Sequence, residues 1–365
     1  AVTGLLECRK RDETKLIKNL ITDLRVDGGL SLPPGLPASV LFLCIRQVDC
    51  SGDQARTHSL CSTTVTAMKG ALKKHVNDIR MTALWLKNAW LLLNLLTQHS
   101  PKQCHNFNFF AYQQLLCITE THLQNIIVPA MLESETIPGL SGAAIKLVVS
   151  RKRAGSDPRP VGGDAPTMTA VLRELGALHS ALTHQDLPPS LIEQAFHQLT
   201  YLICASALNS LLLRKDMCSW SRGMQIRYNV SLLEEWLRSR GLQAGGAVAT
   251  LEPLIQAVQL LQVGKKSEAD AQAIVQTCTA LSSQQIVKIL TLYTPHSDLD
   301  ERVTLNFIRT VQGLLKGRSD SQPSHILMDV RRVFPVTFPH VPPPVLSAEQ
   351  LVIPDSLKIS FLRKA

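Results

Sequence analysis

The stretch Ser190-Leu-Ile-Glu-Gln-Ala-Phe-His-Gln-Leu-Thr-Tyr-Leu-Ile-Cys-Ala-Ser-Ala-Leu-Asn-Ser-Leu-Leu-Leu-Arg-Lys215 contains no glycine or proline, and its apolar residues fall on nearly every side of a helical wheel. A helix that is apolar all round has no face to give to solvent, so this one reads as the central helix of a bundle. Ser190, three residues ahead of Glu193, forms a capping-box pattern at its start. Two more such patterns, Ser231 with Glu234 and Ser282 with Gln285, predict further helix starts. The last leads into Ile286, Ile289, Leu290 and Tyr293 at helical spacing before Pro295 stops the run.

Downstream, a helix is expected from about Glu301 to Lys316, with Val303, Phe307, Val311 and Leu314 turned inward and Gly317 at its end. From Val333 onward, prolines at 335, 339, 342, 343, 344 and 354 forbid a long helix, while Phe334, Phe338, Val345, Leu351 and Ile353 supply apolar anchors. That combination predicts an extended strap laid over a helical surface. Upstream, residues 150–167 are rich in Arg, Lys, Gly, Asp and Pro and read as a mobile basic loop. Ahead of that loop, Asp12 caps a stripe from Leu16 to Leu24 that stops at Asp27-Gly28-Gly29. Further stripes run from Val65 to Ile79, Met81 to Leu96 and Tyr112 to Met131. The organisation is therefore a helical subdomain over 1–149, the loop over 150–167, a second helical subdomain over 168–330 and the strap over 331–365. The fold class is all-α.

The chain has 365 residues, 45% hydrophobic and 18% charged, which places it among globular proteins and not disordered tails. Its net charge of +9 is spread along the chain, with short basic knots at Arg9 to Arg11, Arg151 to Arg153 and Lys265 to Lys266. With four Tyr and no concentrated basic face, nucleic acid is not the expected partner, and an acidic protein surface is. The nine cysteines are Cys8, Cys44, Cys50, Cys61, Cys104, Cys117, Cys204, Cys218 and Cys278. They form no C-x-x-C pair and read as reduced core residues of a cytosolic protein. The longest apolar runs, such as Trp90 to Leu96, fall short of the roughly 20 residues of a membrane span. The sequon Asn229-Val230-Ser231 is therefore expected to go unused.

Motifs for chemistry are weak. Gly264-Lys265-Lys266-Ser267 lacks the loop of a phosphate cradle and reads as a helix end followed by a solvated basic turn. Gly139-Leu140-Ser141-Gly142 misses the spacing of a nucleophile elbow and reads as a turn. Cys104-His105 with His99 and His122 lacks the tight knuckles of structural zinc, so no metal is assigned. Glu234 and Glu235 are adjacent and diverge on a helix, which does not suit paired acid and base work. No enzyme activity and no cofactor are expected.

One longer stretch is specific. Asn209-Ser-Leu-Leu-Leu-Arg-Lys-Asp-Met-Cys-Ser-Trp-Ser-Arg-Gly-Met-Gln-Ile-Arg-Tyr-Asn-Val-Ser231, continuing through Glu234-Glu-Trp-Leu237, closely resembles the globular tail, or dilute domain, of class V myosins. Blocks at Leu251 to Gln262, Gln285 to Pro295 and Val333 to Pro339 agree in the same order. Weaker matches lie at Leu16 to Leu24, Leu36 to Asp49 and Met131 to Gly142. Residues 50 to 130 depart most, and the segment from Ser100 to Pro129 is shorter than the family pattern.

The resemblance implies an elongated rod of two helical-bundle subdomains with the C-terminal extension strapped back along it. It also implies a module that binds cargo adaptor proteins and Rab-type small GTPases and folds back to inhibit the motor head. Membrane vesicles are then reached only through partners, in the cytoplasm and in association with actin. Carried over by position, the basic pair for the motor head is Lys215 and Lys288, and the Rab-contacting residues are Tyr228 and Gln262. The regulatory phosphosite is Ser156, the remaining acceptor in Arg153-Ala-Gly-Ser156, where phosphate would add a charge of about −2. From the residues alone, Lys215 is a cation near a helix C-terminus and Lys288 a polar position in an apolar stripe. Tyr228 reads either as a surface hot spot or as a buried ring behind the Ser231 cap. A helical tethering or scaffold subunit of vesicle traffic with no myosin partnership is the competing reading.

Overall fold

The computed structural model describes residues 4–97, 105–138, 140, 165–295, 302–319, 325–342 and 345–365. Aliphatic, strand-averse sequence folds here into helices: α1 (Glu13–Ile17), α2 (Val26–Leu30), α3 (Leu36–Cys50), α4 (Gln54–Lys74), α5 (Ile79–Thr97), α6 (His105–Gln124), α7 (Met168–His184), α8 (Pro189–Leu213), α9 (Trp220–Ser239), α10 (Glu252–Gln262), α11 (Glu268–Thr277), α12 (Ser283–Leu292) and α13 (Leu305–Leu315). Wider π turns at Lys18–Thr22 and Pro129–Glu133 extend two of these segments. The all-α class is borne out. Two compact units form, interleaved in sequence: one from residues 1–119, 175–192 and 336–365, the other from 120–174 and 193–335.

In the first unit α3 packs on α4 and α5. The entry to α3 demands glycine. Gly35 has φ +78°, and a Cβ there would lie 2.5 Å from a Leu91 methyl. Pro37 then sits in the first turn, where its missing N–H is harmless. Asn88 on α5 is buried and accepts the Ala38 N–H at 2.9 Å. The chain ends meet in an antiparallel pair, β1 (Leu6–Glu7) with β2 (Arg363–Lys364), Leu6 opposite Lys364.

In the second unit α8 is the buried centre, with Phe196, Leu199, Ile203, Cys204, Leu208 and Leu211 fully inaccessible. It is long and apolar enough to cross a membrane, but 67% of its most apolar window is already buried by the protein. Its polar residues hold the strap. Asn209 donates to the Met328 carbonyl at 2.9 Å and accepts the Met328 N–H at 2.7 Å. Gln198 does the same across Arg332 and Phe334, at 2.8 Å each. The Tyr201 hydroxyl donates to the Asp329 carbonyl at 2.9 Å. Phe334 lies against His197 and Tyr201 with the Arg332 guanidinium 4.6 Å from its ring centre. The extended strap expected from the prolines is therefore present, ending in β2.

Helix α9 is latched in a way no local pattern announced. Asn229, with no exposed surface, donates to the Ala130 and Met131 carbonyls and to Ser134, and accepts from Thr136 at 2.7 Å. One turn earlier Gln225 pairs with both backbone groups of Ile137, at 3.0 and 2.9 Å. The sequon asparagine is thus a core residue of the folded chain.

Several sequence readings need correction. Ser231 is no cap. It lies inside α9 and its hydroxyl donates back to the Tyr228 carbonyl at 2.6 Å, while Ser219 accepts the Arg222 N–H at the true start. Glu234, read as its partner, instead pairs with Arg227 and Arg238. Helix α8 begins at Pro189, one residue before the serine assigned to its cap. The carboxylate of Asp12 makes no capping bond, and Asp27-Gly28-Gly29 falls inside α2. The Val65 to Ile79 stripe divides, since α4 ends at Lys74 and Ile79 opens α5. On α13, Leu315 is buried and Leu314 is 38% exposed. Cys50 and Cys117 are exposed and so are not core residues, unlike Cys8, Cys44, Cys204, Cys218 and Cys278. The box at Ser282 and Gln285 is present, and a further one joins Ser267 to Asp270. The basic turn before it matches expectation, with Lys265 donating to the Leu261 and Val263 carbonyls at the end of α10.

Replacing Asn229 by Ala is expected to lower unfolding stability by about 2–4 kcal/mol, because buried carbonyls lose their donor. Ser282→Ala is expected to lose about 1 kcal/mol and Ser231→Ala less than about 0.5 kcal/mol, in urea titrations. Equal losses at the two serines would return Ser231 to a capping role.

Candidate functional site

Between α8 and α9 the chain turns through a short 3-10 segment, Lys215–Met217. The turn is fastened to the end of α12. The Thr294 N–H donates to the Cys218 carbonyl at 2.7 Å, and its hydroxyl to the Lys215 carbonyl at 3.3 Å. Lys215 is exposed, and Lys288 on α12 is half-buried. The buried Cys218 thiol contacts the Leu211 carbonyl at 3.3 Å; burial and the Asp216 carboxylate push its pKa up to about 12, and the Lys288 ammonium pulls it down. Lys215 thus lies in the turn, and Lys288 on the helix whose end Thr294 fastens to it.

The acid next to Lys215 is already engaged. Arg214 forks onto Asp216 at 2.7 Å and also pairs with Glu133. The guanidinium beside Asp216 holds its carboxyl below the ordinary range, and the two carboxylates raise the Arg214 pKa in return. Neither Lys215 nor Lys288 forms an ion pair among the described residues. Beside Lys288 lies an open groove of about 460 Å³ between α12 and α13, with Val287, Leu315 and Ile326 on its walls and Lys316 as a second cation.

Tyr228 is 42% exposed on α9, and its ring is not the buried anchor that one sequence reading allowed. Gln262 is the last residue of α10, and its amide nitrogen is buried with no hydrogen-bond partner among the described residues. An unpartnered buried donor is costly and often marks a functional position. The helices that carry the two residues pack at Gly223, where a Cβ would lie 3.1 Å from Leu261 and 3.4 Å from Gln262. Ser156 and Cys104 lie outside the described residues. No group of His, Cys, Asp or Glu suited to a metal occurs among the described residues.

Sequence reading missed Thr294 and the Arg214 fork. The Thr294 contacts and the Arg214–Glu133 pair are tertiary, whereas the Arg214–Asp216 pair is local and its spacing stands in the sequence.

Residues 194–297 match the DIL domain family. Unconventional myosin-Vb of Homo sapiens is 46% identical over 387 aligned residues, covering 99% of this chain and 21% of that protein. The chain thus spans about a fifth of the length of this relative. The solved yeast myosin 5 cargo binding domain is similar with a TM-score of 0.72 at 20% identity, covering 95% of this chain and 92% of that one. The structure of Myo2-GTD in complex with Mmr1 gives 0.72 at 19%, covering 95% and 93%.

Arg214→Met tests the fork. Asp216 has a depressed folded pKa, so its contribution is present above the ordinary carboxylate value and is lost as pH falls through the folded one. Both groups are partly solvated, so the variant is expected to lose about 0.5–1 kcal/mol at pH 7. The difference from the parent chain is expected to shrink in urea titrations carried below pH 4, the region in which Asp216 titrates.

Proposed function

The chain belongs to the class V myosin globular-tail family, and on that premise we propose that it is a non-catalytic module that docks cargo adaptor proteins and Rab-type GTPases and inhibits its motor head. The observation that carries the inhibitory part is the basic border of the Cys218 turn. Lys215 lies in the turn and Lys288 on α12, which Thr294 ties to it, while Asp216, the acid next to Lys215 in sequence, is held by Arg214. Two cations carried on backbone elements tied together give an acidic surface charges at a set backbone spacing.

For Rab-type partners the support is Tyr228 and Gln262. An exposed tyrosine offers wide contact area with a polar tip, and Gln262 ends the helix that packs against the Tyr228 helix at Gly223. Adaptor docking draws support from Myo2-GTD, which has been solved in complex with Mmr1. The cytoplasm, on vesicles moving along actin, is the setting this reading implies. Phosphorylation of Ser156 by a basophilic kinase would regulate partner choice by reversing local charge.

The test is an ATPase assay of a tail-less class V motor titrated with this chain, beside binding to Rab-type GTPases in both nucleotide states. Lys215→Glu with Lys288→Glu is expected to abolish inhibition while leaving the melting temperature within a few degrees. Tyr228→Ala is expected to weaken Rab binding by at least about tenfold, the loss of one interface hot spot. No inhibition and no binding at micromolar chain would overturn the proposal.

A further inference from the structure

Within the first unit, Trp90 meets the proline-rich strap in a contact that none of the surfaces above uses. Residues 338–342 read Phe-Pro-His-Val-Pro, a P-x-x-P spacing. In a polyproline II helix, with three residues per turn, that spacing sets Pro339 and Pro342 on one side. The strap backbone here is neither helix nor strand. The Trp90 indole N–H donates to the Pro339 carbonyl at 3.1 Å, and Tyr112 meets Phe338 edge-on with ring centres 6.1 Å apart. An extended proline-rich chain docked on an aromatic wall is the chemistry by which SH3- and WW-type grooves take their ligands.

The wall is preset. The Lys87 ammonium stands 5.2 Å from the Trp90 ring centre and is itself fixed by the Asp186 carbonyl at 2.7 Å and carboxylate at 3.7 Å. Trp90 is 6% and Tyr112 3% exposed beneath the strap. Among the described residues a cavity of about 490 Å³ lies beside the strap, lined by Trp90, Leu91, Pro188, Pro189, Val341 and Leu346. His340 and Pro342 are exposed and Val341 is 43% exposed, so water already reaches the segment. Beyond it the chain is secured independently, by the Ala348 N–H to the Gly4 carbonyl at 2.8 Å and by the β1–β2 pair.

We propose that the surface where Trp90 and Tyr112 meet the strap, with the cavity beside Trp90, is a recognition site for proline-rich extended segments, occupied in cis by residues 338–342 and exchangeable for a P-x-x-P segment of a partner. The occupant is argued from the chemistry already seated there. Exchange needs only local release, because the strap end is held elsewhere.

The experiment uses the full chain and a fluorescein-labelled peptide with the sequence of residues 335–346, read by anisotropy. In the parent chain the tethered segment competes at high effective concentration, so binding is weak. Phe338→Ala with Pro342→Gly is expected to tighten it by at least about tenfold, and adding Trp90→Phe, which keeps a ring but removes the donor, to cancel the gain. A parallel measurement needs no variant: excess unlabelled peptide is expected to move the His340 and Val341 amide NMR resonances to random-coil positions while the Leu5 and Ala365 amides, which bond each other's carbonyls, stay protected from exchange. No gain in the double variant, a gain that survives Trp90→Phe, or unmoved resonances at Val341 overturns the proposal.

Discussion

The burial of α8 from Glu193 to Leu213 decides what its neighbours must do. A helix apolar on every side gains about 1.5–3 kcal/mol for each large aliphatic residue removed from water, but only if other elements cover all its faces. Cysteine and alanine at Cys204, Ala205 and Ala207, all fully buried, let those elements approach closely. The helix also has amides and a hydroxyl that cannot be left unpaired, and Gln198, Tyr201 and Asn209 find their partners in the backbone of the strap. An extended segment with free N–H and C=O groups suits this role where another helix, already satisfied internally, would not. Covering α8 and satisfying its polar groups are thus one requirement.

That same helix positions the basic turn. Its C-terminus ends at Leu213, 67% exposed, and the chain leaves through Arg214, whose fork onto Asp216 and Glu133 fixes the direction of Lys215. Thr294 then ties the turn to α12, so Lys288 comes to the same border. The charge surplus of the chain is diffuse, and among the described residues the acids near the turn, Asp216 and Glu133, are held by Arg214. Glu234 with Arg227 and Arg238, and Glu135 with Arg222, repeat the arrangement.

Much of this was legible in the sequence because it is local. The all-round apolar run, the box at Ser282, the proline strap and the motif from Asn209 to Leu237 each concern neighbouring residues. What stayed hidden was of two kinds. Some local patterns are ambiguous: Ser231-x-x-Glu234 has the spacing of a cap, yet Glu234 serves arginines, and Ser267-x-x-Asp270 is a real box that a search for Glu or Gln passes over. Other features are tertiary. That Gln225 and Asn229 clasp residues 130–137, or that Trp90 reaches Pro339, depends on a partner remote in sequence with no matching signature. The pairing of Lys215 with Lys288 entered through the family resemblance, and Thr294 ties the turn that carries Lys215 to the end of the helix that carries Lys288.

The proposed inhibition requires that the motor head dock on the border of the Cys218 turn. Hydrogen exchange of this chain, alone and with a tail-less class V motor, tests it most directly. The account predicts slowed exchange in residues 213–220 and 284–294, with the loop joining α10 and α11 unchanged. Protection confined to other segments, or none at saturating motor, would contradict it.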